Sequence, residues 1–182
     1  MKEVQPIRDL KDIAKMKEVL AKYSDRDCML FTFGINCGLR VSDLLTLRVS
    51  DVSGDHVIVM EKKTGKINRF PINAKLRKAL RKYTKDNNLT DDDYLFPSRK
   101  GENKPITRVQ AWRVLNRAAE YLNLDEIGTH TLRKTFGYHM YQKTHDVAML
   151  QQMFNHSAPS ITLRYIGINA EMRDNAMKDF YL

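Results

Sequence analysis

The sequence contains only two cysteines among its 182 residues. Cys28 and Cys37 both lie in an apolar run, residues 28–37, which is typical of buried thiols in a reducing compartment rather than of a disulfide. That run is too short and too interrupted by polar residues to cross a bilayer. Residues 1–6 lack the apolar segment of a signal peptide. We therefore expect a cytoplasmic protein.

Metal-ligand and nucleotide motifs are also missing from the sequence. The five histidines form no His-x-x-x-His pair, and neither Cys-x-x-Cys nor a paired-carboxylate spacing occurs. No glycine-rich phosphate loop is present. We expect neither a dedicated metal site nor ATP binding, and we assign no cofactor.

Negative charge is scarce relative to positive charge. The chain has 31 Lys and Arg against 22 Asp and Glu, a formal net charge of +9, which favours a polyanionic partner. From Glu61 to Lys85, ten basic residues face one acid, Glu61. About half of these lysines fit a solvated helix face equally well. Apolar residues make up 42% of the chain, enough for a folded core.

Hydrophobic periodicity and capping residues predict a mostly helical α+β domain over residues 1–182. Two strands are expected, joined by a turn at Gly65, with residues 94–97 as a third short strand. The predicted strands are 56–61 and 67–72. Three helices are predicted at residues 10–23, 25–36 (capped by Asp25 or Asp27) and 41–47. Two more begin after the capping residues Asn73 and Thr107, and the next begins at Thr129 or Thr131. The last three begin after Asp146, at Pro159 and after Asn169.

Helical spacing also predicts which side chains of two helices face the core. In the helix after Thr107 these are Val109, Trp112, Leu115 and Ala119. In the next helix they are Leu132, Phe136 and Met140.

Several residues could bind a phosphate, although each has an ordinary structural explanation. His130 and Arg133 lie three apart on one helix face, so a phosphate could contact both, or Arg133 could form only a local ion pair. Arg40, after Gly38, lies at a predicted helix junction where Asp43 could orient its guanidinium or simply pair with it. His156 follows a helix end and could bond only to the last carbonyl groups. Tyr165, one of eight tyrosines, could be a core-edge residue or a covalent nucleophile.

The order and context of these residues resemble the catalytic domain of the tyrosine recombinase family, the phage-integrase-type enzymes. The resemblance covers about residues 30–168 and includes six functional positions. The matching segments are residues 32–44 with Gly38-Leu39-Arg40, the turn Lys62-Lys63-Thr64-Gly65-Lys66, Leu95-Phe96-Pro97, His130-Thr131-Leu132-Arg133-Lys134-Thr135-Phe136, Asn155-His156-Ser157 and Thr162-Leu163-Arg164-Tyr165.

The resemblance implies a mostly helical catalytic domain with a small three-stranded antiparallel sheet on one edge, and a role for each matching side chain. Arg40 and Arg133 would hold the non-bridging oxygens of the scissile phosphate. His130 would assist proton transfer, and His156 would donate a hydrogen bond to the phosphate. Tyr165 would attack phosphorus, giving a 3′-phosphotyrosyl link and a 5′-hydroxyl.

The leaving oxygen would be protonated by a lysine of the basic turn. The resemblance implies Lys63, with Lys66 and Lys62 as the second and third candidates.

The chemistry of these groups agrees with that assignment. A tyrosine titrates near pH 10, so only about a thousandth is ionised at neutral pH. Two guanidinium charges would favour the phenolate and stabilise the pentacoordinate phosphorus, as a divalent metal does at other phosphoryl-transfer sites. The covalent link would conserve bond energy, so religation would need no ATP.

The sequence departs from the family pattern at two points. Asn155 stands where glycine is more common, which is tolerable because asparagine also adopts a left-handed cap. Only about thirty residues precede the match, whereas family members usually carry an additional N-terminal DNA-gripping domain. The chain is either a naturally minimal recombinase or a fragment of a longer one, and we favour the first.

Double-stranded DNA is the expected partner. Its backbone would be contacted by Lys62, Lys66 and Arg69, and Arg108 could reach a groove or only face solvent. The resemblance implies a homo-tetramer on DNA, with a monomer as the expected free state, and residues 166–182 would dock on a neighbouring protomer or pack on their own core. The alternatives are a catalytically silent DNA-binding regulator and a type IB topoisomerase.

Overall fold

The computed structural model describes residues 3–60, 65, 67–168, 177–178 and 180–181. Lys62, Lys63 and Lys66 lie outside the described residues, as does the expected helix start at Asn169. The helices are α1 (Leu10–Tyr23), α2 (Asp25–Cys37), α3 (Val41–Leu44), α4 (Ala74–Asp86), α5 (Arg108–Tyr121), α6 (Thr129–Thr144), α7 (Val147–Phe154) and α8 (Pro159–Tyr165). A 3-10 turn covers Ser50–Val52, and the strands are β1 (His56–Met60) and β2 (Ile67–Pro71).

Local capping explains most helix starts. The side chains of Asn73, Thr107 and Asp146 each accept a hydrogen bond from a backbone N–H in the first turn of α4, α5 and α7. For α2 the expectation of Asp25 or Asp27 is wrong, because the Ser24 side chain accepts from the Asp27 N–H.

The two strands form an antiparallel hairpin in which Val57 pairs with Phe70 and Ile58 with Arg69. Val57, Val59 and Phe70 are buried, whereas Ile58 is 62% exposed, so one face of the hairpin covers the core. The mostly helical α+β class is confirmed.

The expected third strand is absent from the described residues. Residues 94–97 make only isolated pairings, Arg48 with Tyr94 and Pro97 with Pro105. The Leu95 N–H donates to the Leu47 carbonyl, while the Phe96 carbonyl accepts from Ile106 on the other side. Because this short segment changes partner within two residues, no continuous ladder forms. α3 ends at Leu44 and not at residue 47 as expected.

The predicted inner face of α5 is partly wrong. Leu115 and Ala119 are buried as expected, but Val109 is 55% and Trp112 49% exposed. The buried stripe instead begins at Ala111, because α5 contacts α1 and α6 through its small residues. In α6, Leu132 and Phe136 are buried and Met140 is partly buried.

Buried side chains form two clusters. The larger one joins α1, α2, α4, α5 and the hairpin. The smaller one consists of Phe136, Leu150, Phe154 and Ile166, with Tyr165 packed against it. It lies between α6, α7 and α8, so it sets the position of the residues that α6 and α8 carry.

Both cysteines are free thiols, as expected. Cys37 is buried, which raises its pKa to about 12, and Cys28 is half-buried. Within the ranges described here, no helix is both long and apolar enough to cross a membrane.

Candidate active site

A left-handed glycine sets the position of Arg40. Gly38 has φ 65° and ends α2, and a Cβ at this position would lie 2.4 Å from a ring carbon of Phe136. Both the backbone conformation and the close approach of α6 therefore require glycine. Arg40 is extended and immediately precedes α3, so the predicted tight junction is present. Asp43 is buried in α3, and its orienting role stays a prediction.

Arg133 links this junction to the end of α7. Its side chain is buried and donates from one terminal nitrogen to the Gly38 carbonyl (2.6 Å) and from the other to the Phe154 carbonyl (3.1 Å). The guanidinium carbon lies 4.3 Å from the ring centroid of Phe154. A guanidinium has five N–H donors in a rigid fork, so these two bonds hold its plane in place without using every donor.

The Tyr165 side chain contacts two imidazoles, and its hydroxyl lies near one of them. It is 3.3 Å from Nδ1 of His130, whose ring stands at 82° to the phenol. The His156 ring meets the phenol edge at a centroid distance of 5.1 Å. Arg133 also hydrogen-bonds the Tyr165 side chain. The structure therefore brings His130, Arg133, His156 and Tyr165 together from α6, the α7–α8 loop and α8.

A buried hydroxyl contacts one ring nitrogen of His156. Thr162 is fully buried in α8, and its Oγ1 lies 3.0 Å from Nδ1 of His156. If the threonine O–H donates to Nδ1, the ring proton of neutral His156 is on Nε2. That N–H can then donate to an anion at the site.

Burial raises the pKa of Tyr165, while the charges of Arg133 and Arg40 and the hydrogen bond from Arg133 oppose that rise. The two guanidinium groups therefore lower the pKa of Tyr165, but burial raises it by more. Burial also lowers the pKa of His130 and of His156, and the same arginines lower both further. At neutral pH the phenol and the two imidazoles of the site are therefore neutral.

The remaining predicted residues lie elsewhere or outside the described ranges. Lys62, Lys63 and Lys66 belong to the undescribed part of the hairpin turn. Arg69 is exposed on β2, with one terminal nitrogen 3.1 Å from Nδ1 of His56. Arg108 is exposed at the start of α5 and, with Trp112 and His130, lines a groove of about 390 Å³.

No group of three or more His, Cys, Asp or Glu in the described ranges is placed to hold a metal ion.

Comparison with known proteins decides the family. The phage integrase family matches residues 7–172 of the chain. The chain belongs to the phage integrase family. It is 50% identical over 178 residues to the probable integrase/recombinase YoeC of Bacillus subtilis (strain 168), with 97% of each sequence covered. It is 28% identical over 171 residues to the tyrosine recombinase XerA of Pyrococcus furiosus, covering 92% of this chain and 59% of XerA.

Solved structures share the fold of this integrase-family chain. A XerA recombinase crystal structure matches with a TM-score of 0.78 at 20% identity, covering 100% of this chain and 68% of that one. The XerH recombinase bound to its difH substrate matches with a TM-score of 0.72 at 19% identity, covering 99% of this chain and 56% of that one. The tyrosine recombinase fold and the recombinase class of enzyme are confirmed, and the regulator and topoisomerase alternatives are not favoured.

Two side chains of the site were not assigned a role from the sequence, although both lie in the matching motifs. Thr162 orients His156, and Lys134 is buried with its Nζ 5.2 Å from the ring centroid of Tyr165. A lysine one residue after Arg133 is normally expected at the surface. Its burial depends on Glu3, 131 positions away, so no local signal indicates it.

Proposed function

We propose that this chain cleaves and rejoins double-stranded DNA at specific sites through a covalent 3′-phosphotyrosyl intermediate. The observation that supports this most directly is the grouping of His130, Arg133 and His156 around the Tyr165 side chain, with His130 Nδ1 3.3 Å from its hydroxyl. The net charge of +9 suits a DNA partner. XerH, a structural neighbour, was crystallised with its difH substrate, which agrees with DNA as the partner here.

In this proposal the Tyr165 oxygen attacks phosphorus, a Tyr–O–P bond forms and the bond to the 5′-oxygen breaks. The phenol proton leaves through a neutral base, for which His130 Nδ1 lies 3.3 Å from the Tyr165 hydroxyl. Arg40 and Arg133 bind the non-bridging oxygens and stabilise the charge that develops on them. His156 donates a hydrogen bond from Nε2.

The 5′-oxygen takes its proton from the hairpin turn, with Lys63 as the first candidate and Lys66 and Lys62 after it. Arg69 and Arg108 bind DNA outside the reacting centre. Residues 1–182 act as one catalytic domain, which assembles as a tetramer on DNA. Of residues 166–182, Ile166 and Ile168 pack on the protein's own core, so docking on a neighbour is proposed for the segment after residue 168. The protein acts in the cytoplasm, where its DNA substrate is accessible.

The experiment is to trap covalent adducts in cells and sequence the DNA attached to the protein, then to repeat the reaction on a nicked duplex of that sequence. Tyr165→Phe should bind this duplex with unchanged affinity and form no adduct, because it lacks the attacking oxygen. Tyr121→Phe, at an exposed tyrosine of α5, is the matched control and should form adducts at the wild-type rate.

Adducts that persist in Tyr165→Phe would exclude Tyr165 as the nucleophile. A wild-type protein that binds DNA without forming adducts would be a regulator. Relaxation of supercoils without recombinant products would indicate a topoisomerase.

A further inference from the structure

The residues that precede α1 are held along α6. We call residues 3–8 the N-terminal strap. The Thr131 hydroxyl donates to the Gln5 carbonyl (2.9 Å), and the Ile7 N–H donates to the Thr135 hydroxyl (2.9 Å). His139 Nε2 lies 3.0 Å from the Ile7 carbonyl. Since these α6 residues are spaced four apart, one face of the helix binds the strap backbone over two turns.

The strap also contacts the turn that follows Tyr165. Arg8 donates to the Gly167 carbonyl at 3.2 Å. Gly167 has φ +79°, and a Cβ there would lie 2.7 Å from the Arg8 guanidinium and 3.3 Å from Pro6. Ile7 is buried in the main core. The strap therefore joins α6, which carries His130 and Arg133, to the end of α8, which carries Tyr165.

One strap side chain has an electrostatic link to the Tyr165 ring. Glu3 Oε1 lies 2.7 Å from Lys134 Nζ, and the Lys134 side chain is only 5% exposed whereas Glu3 is 67% exposed. The same Nζ is 5.2 Å from the ring centroid of Tyr165. A buried ammonium without a carboxylate partner is costly, so loss of the Glu3 charge would favour movement of the flexible lysine head into solvent.

We infer that the strap is a positioning element for the candidate nucleophile: the Glu3–Lys134 ion pair holds an ammonium group against the Tyr165 ring, and Arg8 holds the following turn. Lys134 is a positioning residue, because its described contact is with the ring. The inference rests on the proposed function of Tyr165. According to this inference, the function of Tyr165 depends on strap residues that lie more than 120 positions before it in the chain.

The first test measures adduct formation by the full-length protein on the trapped duplex at saturating protein. Glu3→Gln should lower the rate about fivefold and Lys134→Met about tenfold, with DNA affinity unchanged. Lys134→Arg should restore most of the rate, since arginine keeps both the ion pair and the cation over the ring. The double variant should be no slower than Lys134→Met alone, because Glu3 acts through Lys134.

The matched control is another lysine–carboxylate pair, Lys15 and Asp12 in α1, joined at 3.3 Å and remote from the site residues in sequence. Asp12→Asn and Lys15→Met should leave the rate unchanged. Thermal melts of all variants identify any that fail to fold. Additive losses in the Glu3 and Lys134 variants, or equal losses in the control pair, would overturn the inference.

The second test does not need the reaction. Ultraviolet titration of each variant minus its Tyr165→Phe counterpart isolates a single phenol. The charged and titratable groups facing it are Arg40, His130, Arg133, Lys134 and His156. Lys134→Met should raise the pKa of Tyr165, since a cation that favours the phenolate is removed, and Lys134→Arg should not.

An unchanged pKa of Tyr165 in Lys134→Met would refute the positioning role even if the wild type forms no adduct. A raised pKa without any wild-type adduct would instead refute the proposed function and leave the strap's role intact.

Discussion

Arg133→Lys tests the arrangement of the site without any DNA. Arg133 is only 3% exposed and donates to two carbonyl groups on different elements, Gly38 and Phe154. Lysine keeps the charge but has no planar fork, so it can serve one carbonyl group well and not both. One buried acceptor then loses a hydrogen bond from a charged donor, and the stacking on the Phe154 ring is lost.

The expected cost follows from those contacts. A hydrogen bond to a charged group contributes about 1.5–3 kcal/mol, and a cation over an aromatic ring about 0.5–1 kcal/mol. Arg133→Lys should therefore destabilise the fold by about 2–4 kcal/mol, which lowers Tm by roughly 4–16 °C in a chain of this length. Differential scanning calorimetry measures the Tm, and urea unfolding measures the free energy of unfolding.

The control is Arg113→Lys, at an exposed position of α5, which should change the free energy of unfolding by no more than about 0.5 kcal/mol. If Arg133→Lys melts within about 1 °C of this control, the fork does not hold the two carbonyl groups. If the loss of stability is confirmed, an inactive Arg133 variant can be inactive because its fold is weakened as well as because it binds phosphate less well.

Two further substitutions test how the site is supported. Thr162→Val should cost about 1 kcal/mol of stability and slow adduct formation about tenfold, because His156 loses the hydroxyl that places its proton on Nε2. Nitrogen NMR of the imidazole measures the tautomer populations of His156. Unchanged populations in this variant would contradict the role of Thr162. Gly137→Ala should destabilise the protein by about 1–3 kcal/mol, since the added Cβ would lie 2.6–2.8 Å from atoms of Ile166 and Phe154 under the site. Gly54→Ala, with nothing within 4 Å of its Cβ, should be neutral in the same melt, and equal stability of the two variants would be evidence against the close packing of α6 on α8.

The secondary structure was largely predictable, because capping and helical periodicity act over three or four residues. Asn73, Thr107 and Asp146 cap their helices as the sequence predicts. The prediction failed where packing between elements distant in the chain decides which side chains are buried. Trp112 is apolar and lies at helical spacing, yet it is half-exposed. The side of α5 that packs on the core is instead the stripe of smaller side chains that begins at Ala111.

The motifs and their order determined by themselves that the chain is a phage-integrase-type protein and which side chains are its candidate site. Their chemistry requires particular residue types, and residue types are what a sequence states directly. Only the tertiary structure decided how Arg133 reaches Gly38 and Phe154, how Thr162 orients His156, and how Glu3 supports Lys134 beneath the Tyr165 ring. The contacts of Arg133 and Lys134 join positions from 21 to 131 apart in the chain, so they depend on how the helices pack, for which no local pattern is a guide.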